Sequence, residues 1–402
     1  MKRSGWGVIG AYALVCAATQ ILWLTYAAIT TETARRYGVS VSAVGWLAEI
    51  FPLLYVALAI PAGMLLDRWF RPALAAGGGL VALGGLVRLG GETFAWAMAG
   101  QVMVAVAQPL VLSAVSKLAG EYLPPDQRAT GIAVGSAGSF VGMLLALLLG
   151  PTLGAHGQLE RLLVLEAALA VIPAVALAIA LRRPGHASDR SSEIGQHAAI
   201  EGSAARALWQ LPPMRTLCGL VFLGFGIFVA LATWLQTLLH PSGVSETAAG
   251  GLLVGMVIAG IIGCAVLPPL VARRHGERRF MRTTVLVACV GCVALGATPW
   301  IAVRALALVA MGLVLLPALP VILTAAELLA GAAAGTAGAI VWMAGNLGGL
   351  VVALLVQVLV HHPLAAFLAM AAVSLLGLPL AARLTSPASV GSTGEPATAG
   401  AG

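Results

Sequence analysis

Glu49 is the residue of this sequence whose position most asks for a chemical role. It sits in Trp46-Leu47-Ala48-Glu49-Ile50-Phe51, inside an otherwise apolar stretch. An ionisable group in such surroundings is costly, tends to face the interior of a helix bundle, and marks ion paths or substrate sites. Its carboxylate can counter a cationic substrate or carry a coupling proton; the alternative is a pair with a basic group such as Arg35 or Arg36. Other polar residues stand in similar isolation. Asn346, in Gly345-Asn346-Leu347-Gly348-Gly349, can line a cavity or bond across helices, and Gln236 after Trp234 is a candidate partner from the later part of the chain. Glu166 and Glu327 have no evident partner and read as structural, while Glu32 and Arg88 read as rim charges. A third constellation is Gly63-Met64-Leu65-Leu66-Asp67-Arg68-Trp69-Phe70-Arg71. Gly63 permits close helix approach. Asp67 can accept hydrogen bonds at a neighbouring helix N-terminus, and Arg68 and Arg71 can hold the inner face. Making and breaking such contacts would gate one end of a bundle.

The elements that must position these residues follow from composition. The 402 residues are 60% hydrophobic and 9% charged, with mean hydropathy +0.99. A soluble protein carries about 25% charged residues. Apolar runs such as Val104 to Val115 and Val351 to Val360 lie within longer apolar stretches. Each stretch is about twenty residues long, enough to cross the hydrocarbon as a helix. The stretches do not alternate in polarity, which excludes barrel strands. Spans are expected at Trp6–Thr31, Ser42–Leu66, Pro72–Gly91, Phe94–Leu118, Ala129–Leu153, Leu159–Leu181, Leu217–His240, Ala248–Val271, Thr283–Pro299, Ile301–Leu329, Ala333–Val360 and Pro363–Leu384. The basic start Met1-Lys2-Arg3 runs into a full span rather than a cleavable leader.

The expected fold is thus an all-α membrane protein of twelve transmembrane helices, with both termini cytoplasmic. With that orientation, seventeen of the 22 Lys and Arg fall on the cytoplasmic side, as the positive-inside rule requires. The net charge of +7 then belongs to the inner leaflet of a cell (inner) membrane and not to nucleic acid. Six helices over 1–182, a polar cytoplasmic linker over 183–215, six helices over 216–384 and a disordered tail over 385–402 complete the plan. The five cysteines lie in apolar spans without metal-ligand spacing and read as small buried hydrophobes. Nucleotide loops, dinucleotide fingerprints, nucleophile elbows and zinc spacings are absent. The chain reads as no enzyme and needs no cofactor, and its transport must be facilitated or driven by an ion gradient.

Two six-helix halves joined by a linker are the plan of the major facilitator superfamily, and Gly63 to Arg71 resembles its signature between helices two and three. At the matching place in the second half, Gly263 is followed by Pro268, Pro269, Arg273 and Arg274, and the Asp is missing. A closer resemblance runs through Trp23-Leu24-Thr25-Tyr26, Tyr37-Gly38-Val39, Trp46-Leu47, Pro61, Leu65-Leu66-Asp67, Gly100-Gln101, Ala105 to Pro109 and Ser116-Lys117-Leu118-Ala119. This run looks like the feline leukaemia virus subgroup C receptor family. Its animal members are linked with uptake of choline and ethanolamine and have been discussed as haem exporters. The resemblance implies a central site at Trp23 and Gln108. An indole face attracts a quaternary ammonium, and a buried amide can orient a hydroxyl or carbonyl on the same solute. The alternatives are an interfacial belt position for Trp23 and a helix–helix hydrogen bond for Gln108. Tyr26, one turn beyond Trp23, would add an aromatic wall or simply pack. Two departures stand out: Glu49 replaces an uncharged residue, and Ser139 replaces an expected Asn. The expected function is secondary transport of a small organic solute, with a cationic amine such as choline as the leading case and a monomer as the default. Rival readings are a proton-coupled exporter of drugs or metabolites and a non-transporting sensor or receptor.

Overall fold

A computed structural model describes residues 4–154, 158–183 and 203–384. Most of the expected linker, all of the expected tail and residues 1–3 lie outside the described residues. All regular structure among the described residues is helical. The long helices are α1 (Ser4–Leu24), α3 (Val41–Arg68), α4 (Phe70–Val87), α5 (Phe94–Leu112), α7 (Arg128–Leu149), α8 (Leu159–Ala180), α10 (Pro212–Leu239), α11 (Glu246–Arg274), α12 (Glu277–Ala297), α13 (Ile301–Ala330), α14 (Ala334–Val358) and α15 (Pro363–Leu375). Short helices α2 (Thr30–Tyr37), α6 (Val115–Tyr122), α9 (Ser203–Gln210) and α16 (Gly377–Ala382) lie between or after them. Eleven stretches of the described residues are long and apolar enough to cross a bilayer. One of them, Ile301–Val358, contains both α13 and α14. These two are divided by the turn Gly331–Ala333, where Gly331 takes φ +54°, a conformation open to glycine.

The helices pack in a recurring pattern. α1 lies on α7, α3 on α5, and α4 on both α5 and α8. Later in the chain α10 lies on α14, α11 on α13, and α12 on both α13 and α15. The two sets meet where α3 packs on α14 and α7 on α11. Small residues make the tightest seams. A Cβ on Gly226 would come 2.8 Å from the Gly348 carbonyl oxygen, so α10 and α14 touch backbone to backbone. Such contact is the form helix association takes where lipid supplies no hydrophobic drive.

Three expected spans are broken. The first was expected to run to Thr31, but α1 stops at Leu24. The Thr25 side chain leaves the helix ladder at this point to join a buried polar network, a bond that competes with helix propagation. Tyr26 then leaves the helix and is fully buried. The fourth breaks between α5 and α6, at Ser113 and Ala114. The last pauses between Leu375 and Gly377.

The charges near the expected rim are the main correction. Arg88 is buried rather than at the rim, and Glu166 has a partner after all. Arg88 Nη2 donates to Glu166 Oε2 at 2.9 Å and Nη1 to Thr25 Oγ1 at 3.1 Å. Thr25 in turn donates to Glu166 at 2.8 Å, and the guanidinium lies 5.6 Å from the centre of the Tyr26 ring. This network ties the end of α1 to α4 and α8. Arg304 is also buried and donates to Ser242 Oγ at 2.7 Å. Removing one partner of a buried ion pair costs about 3–5 kcal/mol, whereas replacing both by apolar groups is often neutral. Arg88→Met alone should therefore lower the melting temperature of the detergent-purified chain sharply, and Arg88→Met with Glu166→Leu should recover most of the loss.

Candidate functional site

A narrow cleft, with an enclosed volume of about 20 Å³, lies where α1, α5 and α7 face α10 and α14. Its walls are Gln20 and Trp23 from α1, Gln108 and Leu112 from α5, Ser139, Phe140 and Met143 from α7, Phe225 from α10, and Trp342 and Asn346 from α14. Trp23 is held by a hydrogen bond from its indole N–H to the Ala48 carbonyl of α3, at 3.0 Å. That leaves its ring as the group offered to the cleft. Phe225 and Trp342 meet edge to face with centroids 5.8 Å apart. Asn346 donates to the Trp342 carbonyl one turn earlier, at 2.9 Å.

Polar atoms without partners gather at this cleft. Gln20 Oε1, Gln108 Nε2 and Trp342 Nε1 are buried and make no hydrogen bond, and Ser139 Oγ has only the Cys16 thiol beside it. An unsatisfied buried group costs about 1–3 kcal/mol, so three around one cleft suit a site for a polar ligand. No acidic side chain lines it. An adjoining space shares Phe140 and Phe225 but has only apolar walls and glycine, so the chemistry belongs to the first cleft.

The structure thus places Trp23, Gln108 and Asn346 around one space and puts three other expected residues elsewhere. Tyr26 packs against Arg88 and Tyr37, because α1 has ended before it. Glu49 is exposed on α3 and makes no hydrogen bond or ion pair among the described residues. The pairing considered for it is also taken: Arg35 bonds Glu32, and Arg36 bonds Glu92 at 2.7 Å. Gln236 is exposed on α10, outside the cleft. Gln20, Phe140, Phe225 and Trp342 were missed by sequence reading. Trp342 carried a signal, since it sits one helical turn before Asn346.

Below the cleft the bundle is closed. Asp67 Oδ1 accepts from the Gly335 N–H at 2.8 Å, and Oδ2 accepts from the Thr336 N–H at 2.8 Å and its hydroxyl at 2.6 Å. These are free donors at the start of α14, where the helix dipole also favours an anion. Lys117 donates to the Asp67 carbonyl at 2.8 Å. Gly63 makes the approach feasible, since a Cβ there would lie 2.7 Å from Thr336 Cα. Arg68 stacks 4.6 Å from the centre of the Trp69 ring, and Arg71 lies beside Glu121 and Tyr122. Two further contacts join the same end: Ser116 Oγ donates to the Leu323 carbonyl at 3.3 Å, and Arg128 pairs with Glu327 at 3.6 Å. Glu327, expected to be without a partner, has one.

Residues 8–353 match the Major Facilitator Superfamily. The chain belongs to that superfamily. Its relatives in the superfamily are transporters and not enzymes. Solute carrier family 49 member A3 of Danio rerio is 29% identical over 73% of this chain. The match covers 64% of that relative, so the chain spans less than two thirds of its length. The Homo sapiens protein named Choline/ethanolamine transporter FLVCR2 is 23% identical over 66% of this chain and 54% of its own length. The resemblance to the feline leukaemia virus subgroup C receptor family therefore stands. A superfamily transporter, FucP, in the outward conformation, superposes with TM-score 0.74 at 16% identity, covering 94% of this chain and 99% of that one. The human organic anion transporter MFSD10 (TETRAN) gives TM-score 0.72 at 18% identity, over 94% and 99%. Both likenesses concern the superfamily fold alone.

The Asp67 contacts make a measurable prediction. Asp67→Ala leaves three donors of α14 unsatisfied and weakens closure by about 1–3 kcal/mol. A cysteine placed at Ser116, with the native cysteines replaced, should react with a water-soluble maleimide several-fold faster when Asp67→Ala is added.

Proposed function

We propose that this chain is a secondary transporter that carries a small amine such as choline across a cell membrane by alternating access. The observation that carries the reading is the cleft itself, with aromatic faces and unpartnered amides set between α1, α5, α7 and α10, α14. In this reading α13 and α14 each span the bilayer, giving twelve spans. They form two six-helix halves over residues 1–182 and 216–384, joined by the linker at 183–215, with both termini and the tail at 385–402 cytoplasmic. The recurring helix pairs support the division, and the protein works as a monomer. Rocking of the halves about a midplane site would open the end held by Asp67, with Gly63, Arg68 and Arg71 shaping that gate.

A cation in this cleft would be held by ring faces and not by a counter-charge. Desolvated cation–π contacts contribute about 2 kcal/mol, and several rings line the space. The names of the choline/ethanolamine relatives point to the same class of solute. Saturable uptake of labelled choline into proteoliposomes is expected, and Trp23→Ala should lower its rate at least about tenfold, the factor that 1.4 kcal/mol commands. Uptake without saturation, or an unaffected Trp23→Ala variant, would reject the amine site.

Proton-coupled export is the second reading, and the Arg128–Glu327 pair favours it. Protonating Glu327 would dissolve a contact that crosses the closed end. On this reading Glu327→Gln uncouples transport from an imposed pH gradient while solute binding persists; transport indifferent to pH in the wild type removes it.

A further inference from the structure

We propose that the outer groove between α12 and the α15–α16 segment is a binding site for one anionic phospholipid, with Arg279, Arg282 and Arg383 on its phosphate and Leu286, Val290 and Leu376 along its acyl chains. The proposal is independent of the transported solute and shares only the orientation given above, in which this end of the bundle meets the inner leaflet.

The register of α12 builds the site. Arg279, Arg282, Leu286, Val290 and Val293 recur at three- and four-residue spacing and so form one stripe of the helix. All five are exposed. The opposite face, with Phe280, Thr284, Ala288 and Gly291, is buried. Two cations thus continue directly into three large apolar side chains on an uncovered surface. The neighbouring segment brings a third cation to the same level. α12 packs on both α15 and α16. The Ser374 hydroxyl donates to the Val285 carbonyl at 2.8 Å, and a Cβ on Gly377 would come 2.7 Å from the Val285 side chain. Arg279 lies six residues before Val285 and Arg383 six after Gly377. On antiparallel neighbours each is therefore about 9 Å from this contact, toward the same end. Leu375 and Leu376 are exposed beside the contact.

These charges are not used within the protein. Arg279, Arg282 and Arg383 make no hydrogen bond or ion pair among the described residues. Other cations at this end are engaged: Lys117 on Asp67, Arg71 beside Glu121, Arg128 on Glu327. Glu277 does not compensate the stripe, since it lies one turn before Phe280 and Met281, on the buried face. Arg273, Arg274 and Arg278 are exposed nearby, and a basic cluster at the end of a spanning helix attracts anionic lipid.

The chemistry selects the occupant. Guanidinium forks bind a phosphate in bidentate fashion. A zwitterionic headgroup would bring an ammonium against the same arginines, with no carboxylate on this stripe to receive it. A soluble phosphate would meet the arginines and leave the apolar stripe unused, whereas a lipid engages both.

The test is titration of the purified full chain, in neutral detergent, with phosphatidylglycerol and with phosphatidylcholine, the bound lipid being counted by native mass spectrometry. Phosphatidylglycerol is expected to bind at least about tenfold more tightly, since each arginine near an anionic headgroup contributes severalfold. The ratio should fall below about threefold when Arg279→Gln and Arg282→Gln are combined. It should persist when Arg273→Gln and Arg274→Gln are combined, which removes the same charge from the end of α11. Arg383→Gln reads the same loss should the first pair fail to fold. Equal binding of the two lipids to the wild type, or a ratio kept in the first pair, overturns the site. A ratio lost as fully in the α11 pair reduces the effect to net charge and overturns it too. Inorganic phosphate that displaces phosphatidylglycerol at matching concentration overturns the lipid as occupant.

Discussion

Inside a bundle bathed in lipid, water is not at hand to satisfy a polar group. Each amide, hydroxyl or carboxylate must find its partner in the chain or meet one that arrives. That constraint sorts the polar residues of this protein. Arg88, Glu166 and Thr25 bond one another and fix the end of α1. Asp67 is satisfied by the first N–H groups of α14. Several polar atoms without partners gather around the central cleft, while others, such as Gln101 Oε1 and Trp234 Nε1, lie elsewhere in the bundle. A structural role explains a satisfied group; a cluster of unsatisfied ones calls for a ligand.

The same sorting explains the shape of the helices. The interruption between α5 and α6 is where α14 comes closest. The Ser113 hydroxyl lies 3.0 Å from that of Tyr55, and a Cβ on Gly338 would come 2.7 Å from the Ser113 carbonyl oxygen. An unbroken helix would keep that region regular but would not turn its backbone toward a neighbour.

Much of this was legible in the residues. Hydropathy set the helices to within a turn at most ends, and the Gly63 to Arg71 run led to the Asp67 contact with a helix N-terminus. Trp23, Gln108 and Asn346 were chosen from the chain and lie around one cleft. What failed did so for local reasons. Tyr26 was placed by counting along a helix that Thr25 brings to an end. Glu49 was chosen because a charge in a span is costly, a rule that holds for the residue but does not say which way α3 faces. Arg88 was assigned to a rim because its partner, Glu166, lies far along the sequence. Gln20 went unnoticed because one glutamine in an apolar run carries no mark of the cleft it lines.

The cleft and the closed end share one rigid element. Thr336, which bonds Asp67, and Trp342, which lines the cleft, are six residues apart on α14, about 9 Å of continuous helix. A displacement of the helix at one level is delivered to the other with little slack. In a carrier built this way, leakage is suppressed by mechanics and not by a second barrier: an empty cleft has no grip on α14, so nothing pulls on the door.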